Sequence, residues 1–450
     1  MAMTWSQLLS PQRFRAKNGE IIPTVTPSTQ EGIDALRTDF HIDYDRVVFS
    51  GAFRRLGRKT QVHPLAEHDL THNRLTHSVE VASVGRSLGN RVGVMLQTGG
   101  FLPENNTPGD IGAVVQVACL AHDLGNPPFG HTGEDALRHW FRKEENLRFL
   151  TSLSEAELSD VQTYEGNAHS LRIVANLEMY PDAGGMRLSA ASIGALIKYP
   201  WTSQGPRGRS KFNIYQTELP FIRRVAAELG LLEAGCDQWV RHPLSYLMEA
   251  SDDICYALLD LEDAVELELL TDTEVESVLS ELTFEESTWH AQSSRQRCAM
   301  LRGIAIGKAI EDAAQTFMKH QSDLLSGEFK GKDLISLCSP EVQNTLEKAK
   351  ELARTRIFRH RTKLMTEIAT FPCLGSILDL FVPAAHALLV EQKLDVRQSL
   401  ILDLLKNHNP ILETDSLYQA YMKILDFVGG MTDNAAAKMA QDLSGIGILR

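Results

Sequence analysis

Cysteine is scarce in this chain, and long apolar runs and strand-like patterns are scarce as well. The 450 residues include six cysteines, and no two of them form a CxxC pair. This argues against a disulfide framework and a thiolate zinc site, so we expect six reduced thiols. No stretch reaches the roughly 18 apolar residues that a membrane-spanning helix needs. The amino terminus lacks a basic segment followed by an apolar block, which favours a cytoplasmic location over secretion.

Positive charge is also in deficit, since 45 lysines and arginines are set against 58 acidic residues, and the formal net charge is −13. A surface that binds nucleic acid over its whole extent is therefore disfavoured, although a local basic groove is not. Two short stretches are candidates for such a groove: Arg354, Arg356, Arg359, His360, Arg361 and Lys363, and Arg207, Arg209 and Lys211. A solvated helix face explains the first stretch equally well.

Helical periodicity recurs along the chain, and Gly- and Pro-rich breaks separate the periodic stretches. The apolar fraction of 43% is sufficient for a large core. We therefore predict an all-α fold that forms a single large body. Within it, residues 1–39 are predicted to form an amino-terminal segment and residues 40–270 a functional core. Residues 271–450 are predicted to form a helical region that packs on this core.

The strongest local signal is the dipeptide His122-Asp123, which follows the apolar stretch Val114–Ala121. That stretch is apolar on nearly every side, which predicts a buried helix. An imidazole beside a carboxylate at the end of a buried helix needs a partner, because an unpaired buried charge is very unfavourable. A bound cation would satisfy both groups. The alternative is an ordinary hydrogen-bonded histidine at a capped helix end.

Two other segments carry side chains of the same kind. His77 opens a helix in which apolar residues follow at helical spacing, so His77 is expected to face the core. Asp252, Tyr256 and Asp260 follow one another at intervals of four residues in an apolar segment. This spacing predicts a polar stripe along one helix. The stripe either lines a cavity or forms the solvent-facing side of an amphipathic helix, which is the commoner case.

Together these segments predict one metal site formed by His77, His122, Asp123 and Asp252. Two imidazoles and two carboxylates leave open positions on an octahedral ion. The set suits one Mn²⁺, Mg²⁺, Co²⁺, Fe²⁺ or Ni²⁺ ion better than a tetrahedral thiolate zinc site. Open positions can hold a water molecule and a phosphate oxygen, as metal-assisted hydrolysis requires.

A proton-transfer pair is predicted directly after the HD dipeptide. His131 and Glu134 are three residues apart, so their side chains can touch if a helix begins there. A carboxylate behind an imidazole fixes its tautomer and raises its basicity. The loop GNPPFG would turn the chain back so that His131 faces the metal. A loop histidine with no such role is the alternative.

Long strings of the sequence resemble the HD superfamily and, within it, the bacterial deoxyguanosinetriphosphate triphosphohydrolases. The resemblance covers about residues 40–260 together with residues 424–433. HNRLTHS and HDLGNPPFGH together are specific to this family, whereas a bare HD is not. The other matching strings are FRRL, KTQV, YEGNA, KYPW, DDI with the following Tyr256, and DFVGGMTD.

The resemblance implies an HD-domain helical core with additional carboxy-terminal helices. The implied reaction is hydrolysis of a dNTP, either dGTP or several dNTPs, to a deoxynucleoside and inorganic triphosphate. Family members are typically oligomers, often hexamers, and some respond to single-stranded DNA or to effector dNTPs. The resemblance also implies the metal ligands named above and proton transfer by His131 and Glu134.

Substrate contacts are implied by the resemblance residue by residue. Gln61 and Val62 match positions next to the sugar, where a tight fit rejects a 2′-hydroxyl. Tyr256 and Asp260 match positions that contact the deoxyribose by stacking and hydrogen bonding. Two positions match phosphate contacts: Arg74 and Lys198.

Two other functions remain open at this point. An HD phosphohydrolase for another nucleotide phosphoester would have the same metal site and would differ in its products. A catalytically silent regulator that binds nucleotides or single-stranded DNA would have no need of a proton-transfer pair. The pair His131 and Glu134 therefore argues against the regulator.

Overall fold

The computed structural model describes residues 2–17, 19–24, 37–61, 72–206, 210–266, 269–283, 293–356 and 361–446. Most of these residues are helical, so the all-α prediction is confirmed. The first half contains α1 (Trp5–Leu8), α2 (Asp39–Val48), α3 (Gly51–Arg55), α4 (Arg74–Thr98), α5 (Pro108–Ala121), α6 (Gly130–Arg142), α7 (Glu155–Gln162), α8 (Gly166–Arg172), α9 (Ala190–Leu196) and α10 (Leu219–Leu229). The second half contains α11 (Pro243–Glu266), α12 (Asp272–Leu279), α13 (Ser294–Lys319), α14 (Gln321–Ser326), α15 (Pro340–Arg356), α16 (Arg361–His386), α17 (Val396–Asp403), α18 (Leu417–Gly429) and α19 (Asp433–Leu443).

The strands of the described residues form two small antiparallel hairpins. One hairpin pairs β1 (Phe14–Lys17) with β2 (Glu20–Pro23), and the other pairs β3 (Glu233–Gly235) with β4 (Gln238–Trp239). All of β3 is exposed, so its hairpin adds little to the core. Short 3₁₀ and π segments join or extend helices: Leu56–Arg58, Glu144–Phe149, Ile173–Leu177, Ile335–Leu337 and Ala387–Glu391.

Helices α4 and α5 pack closely because small residues lie where they meet. A proline at the first helical position and a capping box start α5, and almost all of its residues are buried. A Cβ added at Gly89 of α4 would lie 2.8 Å from Cα of Gly112, and one at Gly93 would lie 2.7 Å from Cα of Pro108. A side chain at either position would force the helices apart. These contacts fix the amino-terminal half of α5 against α4, and a Cβ at Gly85 would lie 2.5 Å from Sγ of Cys119 near the carboxyl end of α5.

Buried apolar side chains form two clusters. One is formed around α4, α5, α9, α11, α13 and α15, and the other contains α6, α16 and α18. In the second cluster, Leu374, Ile377, Leu378 and Phe381 of α16 are fully buried, and α16 packs against α6. The carboxy-terminal helices thereby support the helix that carries His131. The boundaries predicted after residues 39 and 270 remain predictions.

One helix of the described part corrects the expectation about membrane-like segments. Residues Lys363–Glu391 are long and apolar enough to cross a membrane by length and composition, and an 18-residue window within them has a mean hydropathy of 1.8. Single charges such as Glu367 and Asp379 interrupt this apolar run. For that reason no uninterrupted apolar stretch of the required length is seen in the sequence. Core helices of soluble proteins pass the same test. Asp379 is exposed and accepts a hydrogen bond from Nε1 of the buried Trp140 at 2.7 Å, which holds this helix against α6.

Candidate active site

Helix α4 brings His77 to the site because its amino terminus is tightly capped. The side chain of Asn73 accepts hydrogen bonds from the backbone N–H groups of Leu75 and Thr76, each at 3.0 Å. These bonds satisfy two of the N–H groups that the first turn leaves free. The capped first turn therefore fixes the backbone position of His77, and only 3% of this residue is exposed. Its Nε2 atom lies 3.1 Å from Oδ1 of Asp252.

The end of α5 holds the second imidazole in a defined orientation. Nδ1 of His122 donates to the backbone carbonyl of Cys119 at 2.6 Å. Because a carbonyl can only accept, this bond leaves Nε2 as the nitrogen that can bind a metal. Nε2 lies 3.5 Å from Oδ1 of Asp123 and 3.5 Å from Oδ1 of Asp252. A backbone carbonyl behind the ring is the arrangement expected of a metal-binding histidine.

Three of the four predicted metal ligands form one cluster. The ligand atoms of His77, His122 and Asp252 all lie within 4.8 Å of one another, so the group could hold a metal ion. Asp123 lies beside this cluster. Its Oδ2 atom accepts a hydrogen bond from Nη1 of Arg74 at 2.8 Å, and its Oδ1 atom accepts one from the amide of Asn126.

The electrostatics of the cluster favour a bound cation. Burial alone would lower the pKa of His122, but the carboxylates of Asp123 and Asp252 outweigh it and raise this pKa to about 9. Burial would raise the pKa of Asp252, yet the two imidazoles hold it well below its ordinary value. These carboxylates thus stabilise positive charge between the side chains. Two imidazole nitrogens and carboxylate oxygens are also suitable donors for a divalent transition metal, so the residues present fit such an ion.

The predicted proton-transfer pair lies in the first turn of α6. Nδ1 of His131 donates to Oε2 of Glu134 at 3.0 Å, and Oε1 of Glu134 accepts the backbone N–H of Gly166 at 2.7 Å. Only 3% of the Glu134 side chain is exposed, whereas 74% of the His131 side chain is exposed. Burial would raise the pKa of Glu134, but His131 and Arg138 keep it low. A fixed, ionised carboxylate therefore orients an accessible imidazole.

One cavity of about 520 Å³ joins the metal cluster to His131. Four predicted substrate-binding residues line it: Gln61, Arg74, Lys198 and Tyr256. Val62 lies outside the described residues. Asp260 is only 4% exposed and is not among the lining residues. It lies one turn after Tyr256 on α11, where burial of the Tyr256 hydroxyl and, after it, the charge of Asp260 raise the pKa of that hydroxyl.

Lys198 is held at the cavity by an acidic neighbour. Its Nζ atom lies 3.0 Å from Oε1 of Glu249, and Nη1 of Arg241 lies 2.7 Å from Oε2 of the same carboxylate. Burial would lower the pKa of Lys198, but Glu249 raises it overall, so this lysine is charged at neutral pH. Two cations share one carboxylate, and one positive charge is left to attract an anion.

Helix α16 forms a wall of the cavity that was not predicted from the sequence. Its lining residues are Lys363, Thr366, Glu367 and Thr370. Their spacing of i, i+3, i+4 and i+7 places them on one helical face. Lys363 was named only within a basic stretch, and the others were missed. The available signal was a polar stripe along an apolar helix, as in α11. Further lining residues without a predicted role are Asn126, Asn167, Tyr199 and Asp253.

The two basic stretches contribute only in part to this cavity. Lys363 and Lys211 line it. Nη1 of Arg354 lies 2.6 Å from Glu351, and Nη1 of Arg356 lies 3.2 Å from Glu274. These ion pairs fit the solvated-face interpretation of α15. Four other basic residues of the stretches lie outside the described residues: Arg207, Arg209, Arg359 and His360.

Comparison with known proteins identifies related chains. A family model described as "HD domain" matches residues 74–176, which include His77, His122 and the pair on α6. A "Deoxyguanosinetriphosphate triphosphohydrolase-like protein" of Pseudomonas aeruginosa is 44% identical over 419 residues, which cover 91% of this chain and 94% of the relative. A relative of the same name from Synechocystis is 34% identical over 99% of this chain and 100% of its own. A "Deoxyguanosinetriphosphate triphosphohydrolase" of Klebsiella pneumoniae is 30% identical over 79% of each chain.

Proposed function

Because this chain belongs to the deoxyguanosinetriphosphate triphosphohydrolase-like family of HD-domain hydrolases, we propose that it hydrolyses dGTP or several dNTPs. The products would be a deoxynucleoside and inorganic triphosphate. One observation carries this proposal: a single cavity is lined by a His–His–Asp cluster, by the imidazole of an imidazole–carboxylate pair and by side-chain cations. Each feature alone suits many proteins. Their combination suits metal-assisted hydrolysis of a phosphoester.

His77, His122 and Asp252 would hold one divalent ion, with Asp123 completing the ligand set. The candidate ions remain Mn²⁺, Mg²⁺, Co²⁺, Fe²⁺ and Ni²⁺. A bound ion would supply Lewis-acid polarisation of a phosphoryl oxygen. The bond from Nδ1 of His122 to the Cys119 carbonyl, at 2.6 Å, keeps Nε2 turned towards the carboxylates. The protein thereby fixes the geometry of the donor atoms before an ion binds.

The proposed reaction breaks the bond between the α-phosphorus and O5′ of the sugar. Water adds to phosphorus, and the triphosphate leaves with its other bonds intact. His131 would either take a proton from the water or deliver one to O5′. Glu134 keeps the imidazole oriented for both roles through its bond to Nδ1, at 3.0 Å. The accessible Nε2 atom is then the proton-transfer atom.

Cations at the cavity would bind the triphosphate. Arg74 is already paired with Asp123, and Lys198 shares Glu249 with Arg241. Lys211 and Lys363 line other parts of the same cavity. Preorganised cations stabilise charge that develops on phosphoryl oxygens without reorganising during the reaction.

Gln61, Val62, Tyr256 and Asp260 would form the sugar side of the site in this proposal. Gln61 and Tyr256 line the cavity, and the charge of Asp260 acts on the Tyr256 hydroxyl. A close fit around C2′ would exclude a 2′-hydroxyl. We therefore expect dGTP to be a far better substrate than GTP.

Product analysis tests the proposal directly. The purified protein is incubated with a mixture of the four dNTPs and one of the five candidate ions, and the products are separated by anion-exchange chromatography. Inorganic triphosphate and free deoxynucleosides would support the proposal. Release of only pyrophosphate or orthophosphate would overturn it in favour of hydrolysis of another phosphoester bond. The variant His122→Ala controls for contaminating phosphatases.

We also propose a cytoplasmic homo-oligomer, a hexamer if it follows the resemblance, that responds to single-stranded DNA or an effector dNTP. Large apolar side chains are exposed on α16 and α17, including Met365, Ile368, Val396 and Leu400, at 62%, 69%, 80% and 62%. Such exposure is typical of surfaces that associate. Mass photometry of the parent and Ile368→Lys tests the assembly. Activity measured with added oligonucleotide at two salt concentrations tests the response to DNA.

A further inference from the structure

A residue near the carboxyl end of the chain connects two walls of the cavity. Asp433, the first residue of α19, is only 2% exposed. Its Oδ1 atom accepts the backbone N–H of Phe129 at 2.9 Å. Its Oδ2 atom accepts both the N–H and the hydroxyl of Thr60, at 3.0 and 2.6 Å. Because Thr60 and Phe129 both line the cavity, one buried carboxylate joins its two sides.

The loop before α6 has a backbone conformation that needs support. Phe129 has a φ of 63° and Gly130 a φ of 59°. A bulky residue rarely adopts this left-handed conformation. A Cβ at Gly130 would also lie 2.6 Å from Nη2 of Arg74, so little space is left for the loop to shift. These two residues directly precede His131. Their conformation therefore sets the position from which the imidazole extends.

A second contact ties the same parts together. Nζ of the buried Lys59 donates to the backbone carbonyl of Asn126 at 2.5 Å and to that of Gly429 at 2.7 Å. Residues 429–433 thus meet the loop at two points, at Phe129 directly and at Asn126 through Lys59. An ionised carboxylate has only acceptor atoms, and here both oxygens of Asp433 accept. A neutral amide could not replace both interactions.

We propose that Asp433 is a positioning residue, which holds Phe129 and Thr60 at a fixed separation. The distance between His131 and Gln61 across the cavity is then kept constant. The kinetic part of this inference rests on the proposed function. Asp433 makes none of the contacts that hold His77, His122 and Asp252 together, so ion binding is expected to be independent of it.

The variant Asp433→Asn tests this role. Its amide places a donor against either Phe129 N–H or Thr60, which displaces one wall. We expect kcat to fall about tenfold to hundredfold, because a shift of about 1 Å near a reacting group has effects of this size. KM and the Mn²⁺ affinity, measured by calorimetry, should change less than about threefold, since ground-state binding is retained. A loss of Mn²⁺ binding, or an unchanged kcat, would overturn the proposal.

Asp395→Asn is the matched control. Asp395 also accepts a backbone N–H at a helix amino terminus, that of Gln398 at 2.7 Å, but it does not line the cavity. Its kcat should equal that of the parent. An equal loss in both variants would show a general effect of helix capping and would overturn the proposed role.

Phe129→Gly provides a rescue that a purely structural role would not predict. Glycine adopts positive φ without the penalty that phenylalanine has. In the Phe129→Gly background, the effect of Asp433→Asn on kcat should shrink to about threefold or less, because the loop then depends less on the carboxylate. An effect as large as that in the parent background would contradict the proposal.

Hydrogen exchange separates this inference from the proposed function. Without metal or substrate, the backbone amides of residues 129–132 should exchange about tenfold faster in Asp433→Asn than in the parent. Unchanged exchange would overturn the positioning role, whatever the activity. If the parent hydrolysed no dNTP while exchange still increased, the proposed function would fail and the restraint of the loop by Asp433 would be supported.

Discussion

The metal-ligand cluster and the α16 wall face the same cavity, but different interactions place them. His77 is set by the cap at Asn73, and His122 by the carbonyl of Cys119, so local contacts fix both. The face of α16 that carries Lys363 and Glu367 is placed in another way. It reaches the cavity because the other side of the helix is buried in the second apolar cluster. Neighbouring residues encode the first region, whereas tertiary packing encodes the second.

The two regions also differ in charge. In the cluster, carboxylates and imidazoles interact strongly enough to raise the pKa of His122 to about 9. On α16, the ammonium group of Lys363 lies 4.0 Å from the carboxylate of Glu367, and the other lining residues are two threonines. The first arrangement suits ion binding and chemistry, and the second suits recognition of substrate. Substitutions in the cluster should therefore remove turnover, and those in the wall should mainly change affinity.

The largest effect is expected for His122→Ala. Without this imidazole the ion loses a ligand, and its Lewis-acid contribution of several kcal/mol corresponds to a decrease of about 10⁴-fold in kcat. Activity with Mn²⁺ and calorimetric Mn²⁺ binding should be lost together. His320→Ala is the control, since His320 lies beside Asp323, away from the cavity. Full turnover in His122→Ala would disprove the metal assignment.

A smaller loss is expected for His131→Ala, about 10²- to 10³-fold in kcat, because general acid–base catalysis contributes on this scale. Mn²⁺ binding should be retained, which distinguishes this variant from His122→Ala. Glu134→Gln should have a weaker effect of the same kind. His139→Ala on the same helix should be neutral, as His139 contacts Phe371 rather than the cavity. Loss of Mn²⁺ binding in His131→Ala would refute separate roles for the two histidines.

The same contrast explains how far the sequence predicts the structure. The all-α fold and the convergence of His77, His122 and Asp252 follow from apolar periodicity and from donor chemistry that needs a partner. Asp433 is more than 300 positions from each of its partners, Phe129 and Thr60. No periodicity in the sequence relates residues so far apart. The face of α16 could have been recognised as a polar stripe. Its orientation could not, because that depends on packing against α6.

The pH dependence of stability should differ between the two regions in the metal-free protein. The folded-state pKa of His122, about 9, lies above its ordinary value of 6.5. The contribution of His122 to the free energy of unfolding, of the order of 3 kcal/mol, is therefore fully present below pH 6.5 and is lost as the pH rises through 9. Burial lowers the pKa of Lys363. Its contribution to the free energy of unfolding therefore increases, rather than decreases, as the pH rises through the alkaline range. Urea unfolding with chelator between pH 6 and 10 measures both.

The variants separate these contributions. In His122→Asn, the decrease in unfolding free energy between pH 6.5 and 9 should be strongly reduced. In Lys363→Met, the decrease should persist. Equal pH profiles for the parent and His122→Asn would show that the cluster does not hold a proton in the folded state.

The smallest effect is expected for Lys363→Met, and it tests whether the α16 wall serves recognition. Methionine keeps much of the side-chain length but removes one positive charge from a cavity that would receive a highly charged anion. KM for the dNTP should rise about tenfold while kcat changes little, since an interaction made equally in ground and transition states alters affinity alone. Lys438→Met is the control, because Lys438 lies on α19 and pairs only loosely with Asp442, at 3.9 Å. A fall in kcat without a rise in KM would instead place Lys363 with the chemical groups, and the contrast between a catalytic cluster and a recognition wall would no longer hold.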